Sequence, residues 1–208
     1  AKGDKVKKGQ LIAAADGPVS ANVHASLSGT VTDILNKPHP VYGDCPSILI
    51  ESDGLDEWAE GLPLERDWKT LTTEQMVQYI KDAGVVGMGG ASFPTHVKLL
   101  PVKDSTIDTL IINAAECEPF LTSDHRTMLE YTDQIVTGTE ITTKILGINK
   151  VIIGIEDNKN DAFLKLTKAF MGTCVKVVKV PTRDPQEDEK MLIKTLVDRE
   201  VDADKRPV

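Results

Sequence analysis

The sequence predicts an α/β protein in two parts, a small all-β unit followed by a three-layer α/β domain built on a parallel sheet. Three observations carry that prediction. Up to about Glu51, short β-prone runs alternate with glycine turns, as in KGDKVKKGQ, LIAAADGPVSANVHA, SLSGTVTDIL and SILIES. After Thr70, strand patterns alternate with helical ones, the order expected of a parallel sheet covered by helices on both faces. Finally, the run TLIINAAE (Thr109 to Glu116) keeps its apolar residues together instead of alternating them with polar ones, as a strand buried on both sides does.

Length and charge narrow the possibilities. The 208 residues suffice for a sizeable core in one or two domains. The 24 basic residues are spread among 32 acidic ones, for a net charge of −8, which argues against nucleic acid as the main partner. No apolar run approaches the roughly 20 residues that span a bilayer, and the opening AKGDKVKKGQ lacks the apolar core of a signal peptide. The chain reads as soluble, with no membrane span of its own, which is compatible with docking on a membrane complex. Cys45, Cys117 and Cys174 lie far apart and no CxxC occurs, so local spacing builds neither a zinc ribbon nor an iron–sulfur site. Cys45 and Cys174 read as reduced, partly buried thiols.

The elements follow in order. In the first part, residues 1–51, Gly3-Asp4 and Gly9-Gln10 flank Val6, and Ser28-Gly29-Thr30-Val31 repeats the turn-then-strand arrangement. Residues 52–69 carry acidic side chains, Trp58, Trp68, Gly54, Gly61 and Pro63, and read as a linker whose tryptophans anchor it to a domain surface. The second part, residues 70–208, opens with Thr72-Thr73-Glu74-Gln75, which matches a capping box. The helix it starts places Met76, Val77, Ile80 and Ala83 on one side and ends at Gly84. After the strand at Thr109, apolar residues at helical spacing predict one helix from about Asp124 to Leu146, weakened at Gly138 and ended by Gly147. Next come the strand KVIIGIED, a helix from about Asn160 to Phe170, the strand CVKVVKVP and a last helix from about Glu187 to Asp198.

Two segments suggest a binding site. GMGGASFPTHVK, Gly87 to Lys98, clusters Gly87, Gly89 and Gly90 where a backbone comes close to a phosphate or a flat ring. Pro94 suits the first position of a helix whose first turn is Thr95 to Lys98, and a helix start is electropositive and rich in donors. Ser92 stands at the third glycine of the dinucleotide pattern GxGxxG and no Gly-Lys-Ser/Thr follows, so neither that motif nor a P-loop is present. The second segment is the end of the Thr109 strand, since ligands of open α/β sheets gather beyond the carboxyl ends of the strands. It presents Asn113, Glu116 and Glu118. The two acids either face one pocket, if the chain turns there, or lie on a solvated loop.

Family resemblances sharpen both parts. GDKVKKGQ with the later SGTV turn resembles the barrel-sandwich domains related to biotinyl and lipoyl carriers. No lysine lies between Lys8 and Lys37, so the swinging-arm function of those carriers is not expected, and the domain reads as an interaction or covering module. GMGGASFPTHVK, followed by INAAECEP and then by SDHR, is similar to the flavin-binding subunit of respiratory complex I, with a Rossmann-like flavin domain. GDKVKKGQ and HASLSGTV narrow the resemblance to the RnfC family of the Rnf electron-transport complex.

That resemblance implies a peripheral subunit on the cytoplasmic side of the inner membrane, in an ion-translocating complex that moves electrons between NADH and ferredoxin. It implies FMN and NADH as ligands, with the other Rnf subunits as partners. Gly87, Gly89, Gly90 and Lys98 are then expected along FMN, joined by Asn113 and Glu116, with Phe93 stacked on the nicotinamide or adenine part of NADH and Glu118 near the nicotinamide end. The family's ferredoxin-like cysteine repeats for two [4Fe–4S] clusters do not occur here, so the chain reads as a fragment of a longer protein. Ala115, Ser92 and the altered segment PTRDPQEDE depart from the flavin patterns. They keep two alternatives open, a scaffold domain that binds no flavin and the related A subunit of the sodium-pumping NADH:quinone oxidoreductase.

Overall fold

A computed structural model describes residues 1–39, 43–63, 66–87, 92–100, 106–118 and 120–202. The chain forms two compact units, Ala1–Val97 and Lys98–Val208. Gly89 and Gly90 lie outside the described residues.

The first unit holds strands β1 (Lys5–Val6), β2 (Leu11–Ala13), β3 (Val23–His24), β4 (Gly29–His39) and β5 (Gly43–Ser52), all paired antiparallel. One sheet has the order β1-β4-β5 and a second joins β2 to β3. Val6, Ala25 and Val31 form the buried core between them, with Ile12, Ile48 and Ile50 packed around it. The glycine of the SGTV turn has a steric cause. A Cβ at Gly29 would sit 2.0 Å from the Glu51 carbonyl oxygen, so only glycine lets β4 and β5 close. The buried Ser28 hydroxyl donates to Asp53 Oδ1 at 2.7 Å and accepts the Glu57 amide at 2.9 Å, which fastens the acidic segment to the strands. Trp58 does anchor that segment: Lys8 stacks its ammonium 4.9 Å from the ring centroid, and the backbones of Lys8 and Ala59 hydrogen-bond at 2.9 Å.

A single 3-10 turn, Trp68–Thr70, leads to α1 (Thr73–Asp82), and the expected capping box is present in full. The Gln75 amide donates to Thr72 Oγ1 at 3.3 Å, while Thr72 donates its own amide to Gln75 Oε1 at 2.9 Å. α1 ends where the sequence places its end. Gly84 has φ +67, and a Cβ there would lie 2.1 Å from the Asn22 carbonyl oxygen. The helix after Pro94, α2 (Thr95–Lys98), is a single turn.

In the second unit, β6 (Leu110–Ala114), β7 (Val151–Glu156) and β8 (Val175–Val180) make a parallel sheet in the order β6-β7-β8. The helices are α3 (Ser123–Glu130), α4 (Thr132–Leu146), α5 (Asn160–Ala169) and α6 (Glu189–Val197). Every residue of β7 is buried, because both faces are covered. Ile153 and Ile155 join Met128, Ala162, Leu166 and Phe170 in one core. On the other face α6 sits so close to Gly154 that a Cβ there would be 3.0 Å from the Cδ1 atoms of Leu192 and Leu196. The three-layer expectation therefore holds.

One expectation needs correction. The single helix predicted from Asp124 to Leu146 is two, broken at Tyr131 (φ −119, ψ 35) and not at Gly138, which lies inside α4 with open space around it. The buried Thr132 hydroxyl donates to the Met128 carbonyl at 2.7 Å, so the break leaves that acceptor satisfied. α4 then ends as predicted, in a left-handed Gly147 whose amide reaches back to Lys144 and Thr143. Cys174 is exposed rather than partly buried, in the turn before β8.

Candidate functional site

The carboxyl ends of β6 and β7 bring charged side chains into the interior. Register places Ala114 beside Ile155, so the residues that follow each strand emerge side by side. Glu116 follows β6, Glu156 closes β7 and Lys159 comes three residues later, just before α5. All are buried or nearly so: the side chains of Glu116 and Lys159 are 2% and 12% exposed.

Glu116 ties three segments together. Its amide donates to Glu156 Oε2 at 3.1 Å. Its Oε1 accepts the amides of Asp124 at 2.8 Å and His125 at 3.4 Å, the first turn of α3. Thr122, at the N-cap position of α3, makes no side-chain cap bond, so a carboxylate from outside the helix does the capping and meets the positive end of its dipole. Lys159 Nζ lies 3.1 Å from Glu116 Oε2 and 3.8 Å from Glu156 Oε2. The closer approach is an ion pair without hydrogen-bond alignment, and among the described residues Glu116 Oε2 has no hydrogen-bond donor. A buried carboxylate oxygen left in that state is a ready acceptor for a ligand.

The neighbours respond to this cluster. Burial and the charge of Glu116 together push the Asp124 carboxyl above its ordinary pKa. His125 Nε2 lies 2.8 Å from Asp161 Oδ1, and that hydrogen bond, with the Ala162 amide, holds the Asp161 carboxyl below the ordinary range.

The other residues singled out by sequence fall as follows. Asn113 lies on the exposed end of β6, where its Nδ2 donates to the Glu187 carbonyl at 2.7 Å and its Oδ1 accepts the Ala115 amide at 3.1 Å. It thereby joins β6 to the PTRDPQEDE segment. In that segment the buried Gln186 donates to Thr195 Oγ1 at 3.1 Å, and Asp188 caps α6 through the amides of Lys190 and Met191. Glu118 parts from Glu116: it is exposed, and its carbonyl accepts the Leu121 amide at 3.1 Å. In the first unit, the Gly87 amide donates to the Phe93 carbonyl at 2.9 Å and the Thr95 amide to the Val85 carbonyl at 3.0 Å. These bonds hold Val85 and Gly87 beside Phe93 and Thr95. Phe93 is half-buried and Ser92 adopts φ +49. Lys98, at the start of the second unit and the end of α2, is exposed.

Sequence reasoning missed Glu156 and Lys159. For Glu156 the signal was there, because the strand-end logic that selected Glu116 after TLIINAAE applies equally to KVIIGIED, whose last residues are acidic. Among the described residues no group of three or more His, Cys, Asp or Glu could hold a metal ion, and no helix is long and apolar enough to cross a membrane.

Residues 80–208 match the Nuo51 FMN-binding domain family, and residues 1–55 match the RnfC barrel sandwich hybrid domain family. Three relatives are the C subunits of ion-translocating oxidoreductase complexes. The chain is 56% identical over 200 residues to that of the proton-translocating ferredoxin:NAD(+) oxidoreductase complex of Clostridium ljungdahlii, covering 96% of this chain and 44% of that protein. It is 39% identical over 207 residues to that of the Na(+)-translocating ferredoxin:NAD(+) oxidoreductase complex of Acetobacterium woodii, covering 99% and 47%. Against that of the ion-translocating oxidoreductase complex of Pseudomonas aeruginosa it is 41% identical over 207 residues, covering 99% and 27%. The chain thus spans less than half the length of these relatives.

Proposed function

The chain belongs to the Nuo51 FMN-binding domain family, and from the match to the RnfC barrel sandwich hybrid domain ahead of it we propose that it is the flavin- and NADH-handling part of an RnfC-type peripheral electron-transfer subunit. The reading puts it in an ion-translocating NADH:ferredoxin oxidoreductase complex, on the cytoplasmic side of the membrane, beside other Rnf subunits. In this reading the [4Fe–4S] clusters belong to other parts of the full-length protein. Domain bounds of 1–51, 52–69 and 70–208 are proposed on the same basis.

One observation supports the flavin reading best. At the carboxyl end of β6, where open α/β sheets bind ligands, the buried Glu116 Oε2 lacks a donor among the described residues. FMN fits such a site, since the flavin ring and the ribityl chain both carry N–H or O–H groups. When bound, FMN supplies the chemistry, accepting hydride from NADH and releasing electrons singly. The protein supplies position and charge. From the second unit we assign Asn113, Glu116 and Lys98 to FMN and Glu118 to the nicotinamide end of NADH. Lys98 offsets phosphate charge. From the first unit we assign Gly87, Gly89 and Gly90 to close approach along FMN, and Phe93 to stacking on a flat ring of NADH.

The test is a fluorescence titration of the chain with FMN, repeated with Lys98→Ala and Glu116→Gln. The assignment expects each variant to bind about tenfold or more weakly, the loss of one charge-assisted contact. Unchanged affinity in both variants would refute it. One observation favours the scaffold alternative: the Asn113 side chain already donates to the Glu187 carbonyl and accepts the Ala115 amide, a structural role that needs no flavin. That alternative expects a folded chain with no saturable FMN binding.

A further inference from the structure

We propose that Lys159 is the positioning residue for Glu116, acting on the bound flavin through that carboxylate without touching the ligand. The inference rests on the flavin reading above. Lys159 occupies the N-cap position of α5 and makes no cap bond, and the start of a helix is the wrong end for a cation. Its side chain is nevertheless only 12% exposed and places the ammonium between Glu116 and Glu156. Two buried carboxylates share this one ammonium, so its removal leaves both without a compensating charge among the described residues.

The geometry separates two jobs. The amides of Asp124 and His125 hold Glu116 Oε1, and Glu156 holds the Glu116 backbone, so Lys159 is the group left to fix the carboxylate's remaining oxygen. It does so at 3.1 Å without a hydrogen bond. Charge is compensated while the acceptor on Oε2 stays unspent for a ligand donor. Nothing in the sequence motifs selects Lys159; only the fold brings it to Glu116.

The experiment compares the full chain with Lys159→Met, Lys159→Arg, Glu116→Gln and the double variant Glu116→Gln/Lys159→Met, by two readouts. The first is hydrogen exchange at the Asp124 and His125 amides without flavin. Lys159→Met should speed it about tenfold while leaving the Ile153 and Ile155 amides protected, and Lys159→Arg should restore it. The second is FMN affinity, which should fall about tenfold in Lys159→Met, return in Lys159→Arg, and not fall further when Lys159→Met is added to Glu116→Gln. Unchanged exchange at Asp124 and His125 in Lys159→Met overturns the proposal. So does a full loss of FMN affinity on adding Lys159→Met to Glu116→Gln, because Lys159 would then act independently of Glu116. If Lys159→Met does not fold, the double variant against Glu116→Gln and the arginine variant against the parent decide by the same criteria. A parent chain that binds no FMN refutes the flavin reading alone, and the exchange readout still decides whether Lys159 holds Glu116.

Discussion

Glu116 caps a helix and forms half of an ion pair with its side chain, while its backbone amide ties the end of β6 to Glu156. Its charge also reaches Asp124, whose carboxyl is raised first by burial and then by Glu116. Glu116→Gln is therefore expected to lower the Asp124 pKa part of the way to the ordinary value, since burial remains; an NMR titration of the Asp124 carboxyl measures it. A raised carboxyl contributes stability below its unfolded pKa of about 3.9 and loses it as pH rises through the folded value, so the variant should lose less on that rise. Ser92 is the other informative residue. At φ +49 it holds a conformation glycine adopts freely, and Ser92→Val should cost roughly 1–2 kcal/mol relative to Ser92→Gly in urea unfolding. Sequence motifs named Glu116 and flagged Ser92 as a departure. They left out Glu156, although the strand-end rule that selected Glu116 reaches it too, and were silent on Lys159, because its pairing with Glu116 is a property of register and leaves no local spacing to recognise.

At the scale of elements, close approach decides more than propensity does. Gly154 lets α6 seat on β7 with leucine methyls at 3.0 Å from where a Cβ would stand. Gly154→Ala should destabilise the second unit by about 1–3 kcal/mol through overpacking, and Leu166→Ala, from the other face, by about 2–5 kcal/mol through the cavity it leaves; chemical denaturation measures both. The alternation of strands and helices, the capping box at Thr72 and the stops at Gly84 and Gly147 were all legible, each being a local rule with a physical cause. The break at Tyr131 was not. Met128, Leu129, Ile135 and Val136 keep helical spacing across it, and neither α3 nor α4 begins with a side-chain cap. The sequence thus carries no start signal where α4 begins, and Gly138, the evident weak point, is tolerated because nothing packs against it.

For the whole molecule, the two units answer to different conditions. In Ala1–Val97 burial, and then the charge of Lys81, push the buried His96 imidazole below its ordinary pKa. A depressed histidine contributes stability that is present above its unfolded value of about 6.5 and lost as pH falls toward the folded one. The protection of α1 amides relative to their intrinsic exchange rates should therefore fall as pH drops from about 7.5 to 5.5, and His96→Gln should flatten that dependence. In the second unit the sheet and its two helix layers hold the buried cluster at the strand ends, which carries the best-supported part of the proposed function. The measurement that tests this most directly is the FMN titration of the chain beside Glu116→Gln. Saturable quenching of flavin fluorescence by the parent chain, with about tenfold weaker binding by the variant, is the predicted result. A well-folded parent chain that leaves flavin fluorescence unchanged would contradict it.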